Sequence, residues 1–193
     1  MQEPALARPS LRTEEASWQV RGRIVLNDGR VATWREACQS DLDALMRMFT
    51  ALSDDSLYMR YIGYHRPTRE EIQTILGRES EEEISIVASP GDNENEIIAQ
   101  VRCIFMDPPT DAELAIVVHD DWQNQGLGTA LIRTIMKHAS RAQVKRIIGV
   151  SGLSNDRAIH IFNKLGFDTC YRCYDSVKMR LTFEGTAESG TQS

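Results

Sequence analysis

The chain has 193 residues, 41% of them apolar and 26% charged, which is the balance of an ordinary globular protein and suggests a single domain. Its formal net charge of −6 argues against a duplex-DNA partner. No apolar run approaches the ~20 residues that span a bilayer, and the opening Met-Gln-Glu-Pro lacks a signal peptide's basic-then-apolar layout. The expectation is a cytoplasmic protein with neither a nucleic-acid nor a membrane partner, its oligomeric state left open.

Residues 1–17 are polar, broken by Pro4 and Pro9, and read as a disordered lead to one domain over 18–183. Val20 to Leu26 and Val31 to Trp34 flank Asn27-Asp28-Gly29-Arg30, a turn signal between apolar runs that predicts a two-stranded hairpin. Ser40 is placed to cap a helix over about 41–52, with Leu42, Leu45, Met46 and Phe49 at core spacing. An aromatic- and arginine-rich stretch, Ser53 to Thr68, leads to a second helix over Glu70 to Leu76. Its aromatics and arginines suit a packed helix pair as well as a binding surface. Glu83 to Ser89 and Glu96 to Met106 read as strands, the latter stopped by Pro108-Pro109. With Glu113–Val118 they predict an antiparallel meander.

The centre of the chain is residues 112–131. An apolar, β-branched run ends at His119-Asp120-Asp121. Gln123-Asn124-Gln125-Gly126-Leu127-Gly128-Thr129 then opens a helix running to about Ala142. The unpaired first N–H groups of a helix and the positive end of its dipole favour an anion, and glycine lets the backbone approach it closely. Neither a full Rossmann glycine pattern nor a P-loop is present. A strand at 146–150 should lie parallel beside 114–118. Asn155 begins a helix that ends at Gly166, a C-cap position, and Phe167–Tyr174 and Ser176–Phe183 close the sheet. The tail 184–193 is expected to be disordered. Arg133, Lys137, Arg141, Lys145 and Arg146 form either a solvated helix face or a lure for an anionic ligand. Cys38, Cys103, Cys170 and Cys173 read as reduced thiols, and no metal site is expected.

Gln123-x-x-Gly126-x-Gly128 resembles motif A of the Gcn5-related N-acetyltransferase (GNAT) superfamily, which cradles the pyrophosphate of acetyl-CoA. Asn155-x-x-Ala158-x-x-Ile161-Phe162-x-Lys164-Leu165-Gly166-Phe167 resembles its motif B, with Ile-Phe in place of Leu-Tyr. The run Ser-Leu-Tyr-Met-Arg-Tyr, residues 56–61, is similar to the catalytic domain of bacterial Pat-type protein lysine acetyltransferases. The resemblance implies a mixed α/β fold: a central, mostly antiparallel twisted sheet of six to seven strands, about four flanking helices, and a parallel central strand pair. It implies acetyl-CoA as co-substrate, with no metal. Backbone groups of Asn124, Gln125, Gly126, Leu127, Gly128 and Thr129, together with Gln123, would hold the pyrophosphate. Ile116, Val117 and Val118 would meet the pantetheine arm at a bulge in the central strand, joined by Asn155 and Phe162.

Acetyl transfer to an amine requires that a proton be removed, because a lysine amine with a pKa of ~10.4 is protonated at neutral pH. Glu113, at the start of the central strand, is the candidate general base, and burial in an apolar strand would tune it toward that task. Asp111 is the substitute. Phe162 has no proton to give where many relatives have tyrosine, so the general acid is open; His119 and His160 are assigned no role. The expected activity is an acetyl-CoA-dependent N-acetyltransferase acting on a primary amine, a protein lysine first and a small amine second. A non-catalytic acyl-CoA sensor is the rival reading.

Overall fold

A computed structural model describes residues 21–78, 82–91, 93–108 and 110–183. The lead 1–17 and the tail 184–193 lie outside them, as do Val20 and Pro109. β1 (Arg21–Val25) and β2 (Val31–Glu36) form the expected hairpin, with Gly29 at φ 84° in its turn. Ser40 does not cap the next helix. It lies within a 3-10 turn, Gln39–Asp41, that precedes α1 (Leu42–Ala51). No side chain caps α1; the Asp41 carboxylate closes the 3-10 turn instead, accepting the Cys38 N–H at 2.9 Å and bonding Arg35 at 2.6 and 2.7 Å. A charged acceptor in a buried corner outcompetes a hydroxyl that can turn to water.

α2 (Asp54–Tyr61) is capped by Ser53, and α3 (Arg69–Leu76) by a Thr68–Glu71 capping box. β3 (Glu83–Pro90), β4 (Ala99–Phe105) and β5 (Asp111–Val118) make the antiparallel meander. α4 (Leu127–Arg141) crosses over to β6 (Arg146–Gly152), which pairs parallel with β5. α5 (Asp156–Lys164) ends at Gly166, φ 87°, and β7 (Asp168–Arg172) and β8 (Ser176–Thr182) complete one sheet in the order β1-β2-β3-β4-β5-β6-β8-β7. Eight strands and five α-helices among the described residues slightly exceed the six to seven and about four expected. Exposed β7 still pairs with β8 as an edge strand.

The sheet is sandwiched between two apolar clusters, a three-layer solution that buries both of its faces. On one face Leu127, Leu131, Ile132 and Ile135 of α4 join Leu114, Ile147, Phe162 and Met179. On the other, Leu45, Met48 and Phe49 of α1 join Leu57, Ile72, Val87 and Val117. The period-two alternation of β5 therefore sends Ala112 and Leu114 to the α4 side and Val117 to the α1–α3 side. The four cysteines are free. Cys103 is buried, and burial, with the Glu83 charge second, pushes its thiol up to about 12.

Candidate active site

β5 and β6 pair over four residues and then part. Their register runs from Asp111–Arg146 to Leu114–Gly149, while Ala115 to Val118 find no partner on β6. On its other edge β5 stays paired with β4 through Val118 in unbroken register, so the expected bulge is absent and a splay takes its place. Met106 donates to the Asp111 carbonyl and His119 to the Ile98 carbonyl. By the alternation of an antiparallel ladder, odd residues of β5 turn their backbone groups to β4 and even ones toward β6. Ile116 and Val118 thus present N–H groups to the splay, whereas the backbone of Val117 faces β4.

The splay opens toward the start of α4. Asn124 (φ 61°) and Gly126 (φ 85°) both take left-handed conformations, coiling the loop so that Gly126 becomes the N-cap. No side chain caps this helix and its first turn holds no acidic residue, so its leading N–H groups are free for an anion. The β1–β2 turn buttresses the loop: Asn27 donates to the Gln125 carbonyl at 3.1 Å, and Arg30 stacks 4.1 Å over Trp122. Gly128 is different. A Cβ there would point at β5 and sit 3.7 Å from Ile116 and Val118, an ordinary contact, so neither close packing nor backbone conformation demands glycine at this position.

Gln123 does not point at the anion cradle. Its amide donates to Ser56 and to the Val118 carbonyl, both at 2.9 Å, and it accepts from Arg157, so it ties α2, β5 and α5 together. Asp120 strengthens the tie, accepting from the Ser53 hydroxyl at 2.6 Å and the Ser56 hydroxyl at 2.7 Å. Its partial burial would raise its pKa, but these bonds outweigh it and hold the carboxyl below the usual range. Asn155 caps α5 through Ala158 at 3.1 Å, and Thr129 lies in the first turn of α4, partly buried. Leu127 is core. Phe162 is 4% exposed and its ring fills the space left by Gly149, where a Cβ would come within 2.8 Å.

The acetyltransferase (GNAT) family model matches residues 45–167, more than half of the sequence. The chain belongs to that family. It is an N-acetyltransferase with acetyl-CoA as co-substrate. Among solved structures it is similar to the GNAT domain of S. lividans PAT, at TM-score 0.79 and 22% identity over 88% of this chain and 100% of that one. Spermidine N-acetyltransferase from Vibrio cholerae, in complex with CoA and spermine, gives TM-score 0.65 and 15% identity over 78% and 95%. Ribosomal-protein-S5-alanine acetyltransferase from Vibrio fischeri gives 0.66 and 16% over 78% and 92%. At these identities the likeness is one of fold.

Glu113 of this GNAT chain, alone among the eight residues of β5, is exposed. The expectation of a buried carboxylate therefore fails, because its place in the alternation falls under the open end of the α1–α3 layer. It lies one residue before the last β5–β6 pair, so its side chain stands at the vertex of the splay. Asp111 is occupied by Arg146 at 2.7 Å. His119 accepts the Asp121 N–H, and His160 is exposed. The sequence reading missed Asp120, Arg157 and Arg60. The spacing Ser53-Asp54-Asp55-Ser56 was a capping signal that could have drawn attention to the first. Among the described residues no helix is long and apolar enough to cross a membrane, and no group of three His, Cys, Asp or Glu is placed to hold a metal.

Proposed function

We propose that this N-acetyltransferase acts on a primary amine, with a protein lysine as first choice and a small amine as second, using Glu113 as general base. Glu113 takes a proton from the ammonium; the freed lone pair attacks the thioester carbonyl carbon; the C–S bond breaks and CoA leaves as thiolate, while the nitrogen's second proton goes to water or to the departing thiolate, whose reference pKa of ~8.5 makes that departure tolerable without a dedicated acid. The cradle, made of the N–H groups of residues 124–129 at the uncapped α4 terminus, would take the pyrophosphate. The backbone of Ile116 and Val118 would take the pantetheine arm, with Asn155 alongside. The single observation that carries the catalytic assignment is an exposed carboxylate at the splay vertex in a strand otherwise buried or half-buried.

Glu113→Gln keeps size but cannot accept a proton. Turnover near neutral pH should fall roughly 10²–10⁴-fold, the usual range for a general base. The loss should shrink between about pH 6.5 and 9.5, as more of the amine arrives deprotonated. Calorimetry should find acetyl-CoA affinity little changed, since the cradle is backbone-built. Equal turnover for both forms across that range would remove Glu113 from the mechanism. Mass spectrometry after incubation with candidate proteins and with polyamines separates the two acceptor classes.

A further inference from the structure

Arg60 is a half-buried cation with no anionic partner among the described residues. It lies near the end of α2, which crosses the sheet over β5 and β6. Among the described residues no carboxylate is within ion-pairing distance of its guanidinium and no hydrogen bond reaches it; it rests 4.8 Å over the Tyr61 ring. Its helix packs on β5, the strand that carries Glu113, and its electrostatic neighbours include Tyr61, Arg102 and Glu113. Three nearby arginines have an anion: Arg102 is bound by buried Glu83, Arg78 reaches the same carboxylate at 3.6 Å, and Arg66 bonds Asp54 at 3.2 Å.

The surroundings add to its charge. Across the sheet Glu113 aligns with Ile148, and Ile148 with Arg180 of β8; one step along, Val150 aligns with Lys178. Val177 and Met179 point into the α4-side core, so alternation turns Lys178 and Arg180 to the face that carries Glu113. Arg180 itself stands opposite Asp168 of β7, and Glu83 aligns with Glu113 through Ile104, so Lys178 and Arg60 are the cations of this face with no aligned or bonded carboxylate among the described residues. Desolvation draws the Arg60 pKa down, with the Arg102 charge helping and Tyr61 and Glu113 opposing, but a guanidinium remains charged throughout. Arg60 is half-buried, so it keeps part of its water but lacks a counter-ion among the described residues, and an arriving anion would supply one.

We propose that Arg60 is the receptor for an anionic group on the acceptor, so that the preferred substrate is an amine carrying a carboxylate or phosphate near its nitrogen. This rests on the amine-acceptor reading above and narrows it. The anion can belong to a free amino-acid-like molecule or to acidic residues flanking a lysine; the chemistry at Arg60 is shared.

The test compares kcat/KM for peptides with one lysine flanked by Glu, Gln or Arg, and for 4-aminobutyrate against butylamine. Wild-type enzyme should favour the anionic member of at least one series, and which series does so identifies the source. In Arg60→Gln the ratio of anionic to neutral kcat/KM should fall roughly 10- to 100-fold, as for loss of a charged hydrogen bond. Arg60→Lys should keep most of the ratio, and Arg60→Glu should turn the preference toward the Arg-flanked peptide. Thermal unfolding of Arg60→Gln should occur at or above the wild-type temperature, since an unpaired charge is removed. A wild-type preference for neutral or cationic acceptors, or equal loss on both in Arg60→Gln, would overturn the inference while leaving the amine-acceptor reading intact. No turnover with any amine, despite measured acetyl-CoA binding, would overturn both.

Discussion

Gly126 and Gly128 share a motif yet differ in what a side chain would meet. At Gly126 nothing is closer than Asn27 at 3.5 Å, so the obstacle is φ 85°, a conformation costing a non-glycine residue roughly 1–2 kcal/mol. At Gly128 the backbone is helical and a single Cβ makes ordinary contacts. Gly128→Ala is expected to keep acetyl-CoA affinity and to hold or gain stability, by up to about 1 kcal/mol of helix propensity. Gly126→Ala should lose both, because the loop must uncoil to relieve the strain. Calorimetry and thermal unfolding of the two variants decide; equal loss of affinity would mean that Gly128 meets the pyrophosphate after all. The motif was legible in the sequence, but its division of labour was not, since spacing does not tell which way a missing Cβ points. The same limit applied to Glu113: a carboxylate at the start of an apolar strand was visible, whereas its exposure depends on where the helices of the other layer stop.

α2 is a short helix held at its N-terminus by a network contributed from 64 to 67 residues away in sequence. Asp120 accepts the Ser53 N–H at 3.0 Å as well as two hydroxyls, and Gln123 adds a bond to Ser56. Asp120→Ala should cost about 1 kcal/mol, as for loss of a cap, and should raise the acceptor KM more than it weakens acetyl-CoA, because α2 carries Arg60. An unchanged acceptor KM would uncouple α2 from recognition. Asp120 and Asp41 both have folded-state pKa values held below the ordinary carboxylate value. At Asp41 burial opposes, and the Arg35 bond with the Cys38 N–H prevails. Groups lowered on folding contribute their full stability above the unfolded value near 3.8 and lose it as pH falls through the folded one. Urea midpoints should therefore drop below about pH 4, and Asp41→Asn should flatten that drop. The elements themselves were largely readable: alternation marked β4, a continuous apolar, β-branched run marked β5, Asp28-Gly29 marked the hairpin, and Gly166 marked the end of α5. Ser40 misled because its rival Asp41 is chosen by Arg35 on β2, a tertiary partner that local capping rules do not contain.

For the molecule as a whole, the α1–α3 layer covers a sheet face that is not apolar throughout. Glu83 and Arg102, about 3–7% exposed at their side chains, form a buried ion pair between β3 and β4. Removing one partner strands the other, so Glu83→Gln should cost roughly 3–5 kcal/mol, while replacing both with leucine and methionine should be close to neutral. Denaturant unfolding of the single and double variants measures this; equal destabilisation would mean that the pair itself, rather than the stranded charge, holds the layers. The parallel β5–β6 pair followed from the crossover through α4, and the helix-flanked sheet from the family resemblance. The splay did not, because a strand that pairs on one edge for its full length reads the same as one that pairs on both.

A sheet of eight strands ordinarily has two rims, at β1 and β7 here. Beyond Leu114 and Gly149 this one gains two more, set inside the molecule. Open rims invite other chains to add a strand, and proteins usually blunt them with charge, proline or bulges. Ala115 to Val118 carry no charged or proline residue. Their protection is placement: α2 packs over β5 and β6, so these rims lie inside the molecule and an intruding strand would have to displace a helix to reach them.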